Sequence, residues 1–447
     1  MTRPTASLWR HRDFMKLWSA ETVSKFGSQV SLLAIPLIAI TVLKVTTFEV
    51  GLLSAVEFSP FILVALHAGV WVDRLPKRSV LIVADAGRFL ALASIPLVYE
   101  VGRLTIGQLY LVSFVTGVLT VFFDVAYQSY LPVLVDRGQL TDGNGKLATT
   151  ESAAQVGGPG LAGGLIELVG SPLAILADAA SFACSGLAIL LIRKQEPPVE
   201  RAAGDQRPGM RTEIGEGLRY VLGHPLLRPQ AMCTGTSNLF SMMGMAVATV
   251  FMVRTLGMSA GLIGLVMSIG SIGVLVGALV STRLTERVGL GPAVVCSIGI
   301  CGAGSLLLPL AQRSSPLPWL IAGMLISSFG TPIYNINQVS LRQAITPHRL
   351  QGRMNASMRF MVWGTMPLGA LLGGTLGSTL GLRPTLWIAG AGGSLAFLWV
   401  LLSPVRTLRE IPEDSIGQSP DHLPEVAVVS LSGITDEPVG ASWSDDR

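Results

Sequence analysis

The chain has 447 residues, half of them hydrophobic and only 13% charged, with a mean hydropathy of +0.57 and a formal charge of +4. This composition excludes an ordinary soluble domain and makes the bilayer the natural solvent. Apolar residues run in stretches of about twenty, the length a helix needs to cross the hydrocarbon, and no alternation over about ten residues marks a membrane barrel.

In chain order the stretches fall near 15–43, 49–72, 79–99, 105–134, 142–169, 172–192, 227–254, 259–281, 290–311, 317–345, 352–380 and 384–404. They predict an all-α polytopic membrane protein with twelve spans. Fifty glycines suit helices that approach closely in lipid. Cys184, Cys233, Cys296 and Cys301 all lie inside spans, with neither metal spacing nor a disulfide framework. The N-terminus has no cleavable leader pattern. Bases crowd every second loop: seven lie between residues 193 and 228, whereas the alternate loops hold only Lys44, Arg103, Arg254, Arg313 and Arg383. That bias places both termini in the cytoplasm of a cell-membrane protein. No nucleic-acid motif accompanies the basic residues.

The expected organisation is a six-helix bundle over 1–192, a cytoplasmic linker over 193–225, a second bundle over 226–405 and a disordered cytoplasmic tail over 406–447. From 408 onward nine acids face two arginines, which suits disorder. Thr212 to Leu222 has one apolar face, and reads either as a membrane-surface helix or as a connector. The halves echo each other. Asn144 precedes a Gly157–Gly164 run, and Asn355 precedes a Met366–Gly374 run, as expected of duplicated bundles that rock against each other.

Between spans 2 and 3 lies GVWVDRLPKR, from Gly69 to Arg78. Together with SKFGSQVSLLAIP (Ser24–Pro36), DAASF (Asp178–Phe182) and LQGRMNA (Leu350–Ala356), it resembles the major facilitator superfamily. Within that superfamily the chain is similar to the bacterial enterobactin exporter and macrolide efflux branch. The resemblance covers residues 10 to 405 and implies the two-bundle fold, with spans 1, 4, 7 and 10 lining a cavity and spans 3, 6, 9 and 12 peripheral. It makes Gly69, Asp73, Arg74, Lys77 and Arg78 a conformational-switch loop near the start of span 11, where Arg353 lies; Asp73 and Arg353 are expected to latch the outward-facing state. Two departures weaken the likeness to antiporters. Gly158-Pro159 is followed by three residues before Gly163-Gly164, and span 4 lacks the arginine common in drug/proton antiporters.

Charges within spans each need a reason, since one at the bilayer centre costs about 2.5–3.5 kcal/mol. Glu21 and Lys25 are one helical turn apart, as are Asp85 and Arg88, so both read as pairs. A proton carrier needs a buried carboxyl; Asp124 and Glu21 are first candidates, with Glu57 and Glu151 after them. In the second half Asn238, Phe240, Met243, Tyr334, Asn335 and Gln338 are candidates for the substrate cavity, where flexible methionines suit varied ligands. Core packing explains any single methionine equally well. Asp178 reads as structural.

No phosphate-cradling G-x-x-x-x-G-K-[ST] is present, so ATP is not expected to drive the protein. No catalytic constellation, cofactor or metal is expected either. One proton moving across 100 mV supplies about 2.3 kcal/mol, enough for uphill export. The sequence therefore reads as a non-enzymatic, proton-coupled exporter of amphiphilic drugs or small secreted metabolites, acting as a monomer in the lipid bilayer. A siderophore exporter, a nutrient facilitator or importer, and a non-transporting sensor or scaffold are the alternatives.

Overall fold

A computed structural model of the chain describes residues 8–194, 196 and 210–410. Among them twelve helical spans run back and forth. Spans 1 to 6 are Arg12–Val42, a broken span over 47–73, Lys77–Glu100, Ile106–Leu134, Leu140–Val169 and Ser171–Leu190. Spans 7 to 12 are Leu227–Thr255, Ala260–Val288, Leu290–Leu310, Pro316–Ile345, a span over 348–379 and Leu382–Leu401. Ten are long and apolar enough to cross a membrane. The others are span 2, interrupted at Ser59 and Val64, and span 5, whose first half carries Asp142, Lys146 and Glu151. Pro36, Pro96, Pro132, Pro159 and Pro332 sit inside helices; neighbouring helices in lipid tolerate such breaks.

Spans 1–6 and 7–12 form two similar bundles. Spans 1 and 7 both end in a five-residue π turn, Ile38–Val42 and Phe251–Thr255. Each turn is followed by a residue with positive φ, Lys44 or Gly257, and then by a hydroxyl N-cap, Thr46 or Ser259. Likewise Gly170 and Gly381, both at positive φ, start spans 6 and 12. These landmarks put the two halves in register residue by residue.

The bundles meet at the end opposite the linker. There span 5 crosses span 8 with Gly163 against Gly264, and span 2 crosses span 11 with Gly51 against Gly374. In the register just given, Gly51 corresponds to Gly264 and Gly163 to Gly374, so the two crossings are equivalent. A Cβ at any of the four would fall on the other helix's backbone, so only glycine permits this approach. Polar contacts join the halves at the same end. The Glu167 carboxylate accepts the Gly261 N–H at 2.7 Å, at the start of span 8, and the Gly160 N–H donates to Ser268 Oγ at 2.7 Å. The Arg254 guanidinium donates to the Val45 carbonyl.

Core packing has the same polarity. One buried cluster at this far end includes residues of both halves, such as Val30, Ile38 and Phe182 with Val247, Phe251 and Ile263. At the linker end there are two clusters. One holds Leu8, Phe14, Tyr130 and Ile192; the other holds Val221, Leu227, Leu341 and Val405. Neither contains a residue from the opposite half, so the molecule is joined at the far end and parted at the linker end.

Part of the expected linker forms a helix, Met210–Gly223. It packs against the first part of span 11, with Gly217 against the Arg353 backbone and the Tyr220 hydroxyl donating to the Ile345 carbonyl at 3.3 Å. Val221 of this helix is buried, whereas Leu222 is exposed. Of the tail expected over 406–447, residues 411–447 lie outside the described residues.

Gly264→Leu should push the far ends apart. Spin labels at positions 168 and 262 are expected to report a longer distance in this variant than in the parent protein; an unchanged distance distribution would show that the crossing does not hold the closed end.

Candidate functional site

Two cavities face each other across the bundle interface. The first, about 350 Å³, lies within the first half and gathers its charges. Span 1 contributes Glu21 and Lys25, span 4 Asp124, span 5 Glu151, span 3 Arg88 and span 6 Asp178. Lys25 Nζ lies 3.4 Å from Glu21 and 3.9 Å from Glu151. Asp178 accepts from the Ser181 hydroxyl at 3.1 Å. The sequence therefore listed acids singly that the fold brings into one cavity.

Arg88 is the unexpected member. Its guanidinium bonds Asp85 at 2.5 Å and lies between the rings of Phe123 and Phe182, 4.2 and 4.1 Å from their centroids. Aromatic faces on both sides stabilise a cation that has left water. Spans 3 and 6, expected to be peripheral, thus supply Arg88, Asp178 and Phe182 to the cavity wall. Helical spacing alone marked Asp85 and Arg88 as a pair; it carried no signal that the pair faces inward, because the two rings come from other spans.

The second cavity, about 460 Å³, lies mainly in the second half. Thr234, Ser237, Asn238, Ser241, Thr331 and Asn335 line it with hydroxyls and amides, and Met242, Met245, Met252, Met267 and Met324 with thioethers. The Asn238 amide donates to the Val362 carbonyl at 3.3 Å, and the Tyr334 hydroxyl is 2.5 Å from Thr234 Oγ1. Phe240, Tyr334 and Asn335 all lie on its wall. Two expectations are corrected. Met243 is buried, pressed against Gly373 of span 11, and its neighbours Met242 and Met245 face the cavity instead. Gln338 is also buried, one turn beyond Tyr334 toward the linker end, outside the cavity lining. Both spans are apolar on more than one face, so periodicity could not choose between neighbours.

The register between halves explains why the cavities differ. Glu21 corresponds to Thr234, Lys25 to Asn238, Glu57 to Gly270, Glu151 to Val362 and Asp178 to Ala389. Matching the ends of spans 4 and 10 at Leu134 and Ile345 sets Asp124 against Asn335. At these six positions the second bundle carries no charge.

The Gly69–Arg78 loop sits at the linker end. The side chain of Asp73 lies outside the described residues, so its expected contact with Arg353 does too. Arg353 bonds Glu216 of the linker helix at 2.6 Å. Arg74 is exposed. Lys77 and Arg78 begin span 3, and their backbone N–H groups donate to Glu196 at 2.8 and 2.5 Å. The Arg78 side chain donates to the carbonyls of Ile189 and Leu190 at the end of span 6. A carboxylate on free N–H groups and a cation on free carbonyls each complement a helix end. Sequence reading missed Glu196 because it acts from more than a hundred residues away. A Cβ at Gly69 would meet nothing within 4 Å.

A family model described as "transmembrane secretion effector" matches residues 4–434. The chain belongs to this family, within the major facilitator superfamily. The chain is similar to the multidrug efflux pump Tap of Mycolicibacterium fortuitum, at 26% identity over 73% of this chain and 80% of that protein. It is also similar to the pump of that name from Mycobacterium tuberculosis, at 27% identity over 82% and 87%. Among solved structures it resembles a bacterial homologue of the iron transporter ferroportin in the inward-facing state. The TM-score is 0.70 at 18% identity, covering 89% of this chain and 99% of the other. A bacterial Spinster homologue, inward-facing and unoccupied, gives 0.67 at 13% identity over 89% and 98%. These structures share the fold. The chain is a multi-pass membrane protein of a small-molecule transporter family.

Arg88→Leu leaves buried Asp85 without its partner and should destabilise the protein by about 3–5 kcal/mol. The double variant Asp85→Leu/Arg88→Leu should recover most of that loss. Thermal unfolding of the purified proteins compares them; equal instability of single and double variants would assign the effect to packing on Phe123 and Phe182.

Proposed function

We propose that the protein is a proton-coupled exporter of amphiphilic drugs or small secreted metabolites, working by alternating access. The observation that carries this is the division of labour between the cavities: one holds several titratable carboxylates beside two bases, and the other, with Glu57 its one charged lining residue, is thioether-rich and large enough to enclose a drug-sized molecule. A charged half that handles protons beside a neutral half that handles cargo is what coupled export requires. The efflux pumps to which the chain is similar support the direction of transport. Cavity arginines or stacked aromatics for sugars and anions, which an importer of such nutrients would present, do not line the neutral cavity.

In this reading the basic linker end is cytoplasmic, by the excess of lysine and arginine there, so the structure corresponds to the inward-open state. Residues 1–192 and 226–405 rock as two bodies joined by 193–225. One copy of the chain is sufficient, in the cell membrane, with the proton gradient in place of ATP. Asp124, Glu21, Glu57 and Glu151 are the proposed proton carriers, with Asp124 first because span 4 carries no base and Asp124 forms no ion pair among the described residues. Asn238, Phe240, Tyr334 and Asn335 are the proposed cargo contacts. Gly69, Asp73, Arg74, Lys77, Arg78 and Arg353 form the proposed switch. Open space around Gly69 fits this proposal: a glycine is needed there only when the linker ends close and span 11 approaches.

Everted vesicles carrying the protein should accumulate dyes or macrolides when energised, and an uncoupler should abolish that accumulation. Asp124→Asn should lower uphill transport by about tenfold or more while sparing downhill exchange. Uphill transport unaffected by the uncoupler would reject proton coupling. Separately, Gly69→Leu should hold the linker end open, slowing turnover without weakening cargo binding. Parental turnover in this variant would remove the loop from the switch.

A further inference from the structure

Three residues line both cavities: Leu32, Phe58 and Glu57. Glu57 lies in the first piece of span 2, just before the break at Ser59. It is the only carboxylate on the wall of the neutral cavity, which holds no lysine, arginine or histidine. The other acids have company. Glu21 and Glu151 share Lys25, Asp85 holds Arg88, and Asp178 receives a serine hydroxyl. Glu57 has no side-chain hydrogen bond or ion pair among the described residues. Charged groups do lie around it: Glu21 and Lys25 on span 1, Arg88 on span 3, Asp124 on span 4, Glu151 on span 5 and Asp178 on span 6, all across the first cavity. On span 11 the Arg359 guanidinium is stacked over Trp363, 5.0 Å from its centroid, with Phe61 on that ring's other contact. Spans 7, 8 and 10 bring no charge to the neutral cavity.

A carboxyl shielded from water either takes up a proton or needs a positive partner. Among the described residues none pairs with Glu57, and the cavity beside it is walled by thioethers, the Phe240 ring and neutral hydroxyls. We infer that Glu57 reads the charge of the cargo, and that the preferred substrates are amphiphiles with one positive charge. The cation sits at the joint between the cavities, next to Glu57, while the apolar body lies among Met242, Met245, Met267 and Met324. A single carboxylate matches a single charge; a second cationic group would face only neutral walls. Gly270, which replaces Glu57 in the second bundle, leaves the opposite wall uncharged, so the polarity of the bound cargo is set. This inference rests on the export reading and narrows it to a substrate class.

The test uses purified full-length protein with tritiated tetraphenylphosphonium, a permanent monovalent cation, and chloramphenicol as a neutral probe. Glu57→Gln should weaken tetraphenylphosphonium binding by about tenfold or more, as expected when an unscreened charge partner is removed. Glu57→Asp should restore most of it, and chloramphenicol affinity should stay within about twofold in all three proteins. Tetraphenylphosphonium affinity that is unchanged in Glu57→Gln overturns the inference, as does failure of the parent protein to bind this cation. Parallel loss of both probes overturns it as well, since Glu57 would then only hold the cavity in shape. Efflux by the parent protein in vesicles is scored separately. If efflux persists while Glu57→Gln binds the cation normally, the export reading stands and only the role of Glu57 falls.

Discussion

Two glycine crossings support the rest of this structure. At Gly163–Gly264 and Gly51–Gly374, helices of opposite halves touch backbone to backbone. Lipid tails are as apolar as leucine, so helices in a bilayer gain little from burying apolar surface against each other and rely instead on close packing. The crossings place that packing at one end only. Around them, two core clusters draw on both halves, while the opposite end keeps a separate core in each. At the crossings themselves the contact is backbone to backbone. The cavities lie where the halves have parted.

Duplication explains how one fold serves two chemistries. The π turns, positive-φ corners and hydroxyl caps at the ends of spans 1 and 7 occur in the same order. The frameworks match while the side chains diverge, with Glu21, Lys25 and Asp124 against Thr234, Asn238 and Asn335. Lys25 and the ring-enclosed Arg88 offset part of the charge of the five acids on that cavity's wall, Glu21, Glu57, Asp124, Glu151 and Asp178. The second half avoids that burden altogether and keeps a surface that varied apolar ligands can contact. On the cavity walls, Glu57 carries charge from the first half to the edge of the second.

Much of this was legible in the linear chain. Stretches of about twenty apolar residues are set by bilayer thickness, so ten of the expected spans stand out by length and hydropathy alone. The Gly69–Arg78 loop led to the superfamily, and a charge in a span stands out against its apolar neighbours, which is why Glu21, Glu57, Asp124 and Glu151 could be named. Facing was less legible. Met243 and Gln338 sit one position or one turn from true cavity residues, in helices with apolar groups on several sides. Arg88 was visible as a pair with Asp85, but its two aromatic neighbours come from spans 4 and 6. Glu196, Glu216 and Glu167 act on helix ends or arginines about a hundred residues away, and nothing local announces such contacts.

By itself the sequence determined what the bilayer enforces. Every backbone polar group in lipid must be satisfied within its own segment, so long apolar stretches become helices whatever their neighbours are. Charge in the loops and the loop signature followed from local composition in the same way. Only the tertiary structure decided which charges share a cavity, which half stays neutral, where the halves touch and where they part. Those outcomes depend on how helices rotate and cross, and the crossings are set by contacts such as Gly51 with Gly374, between residues far apart in the chain.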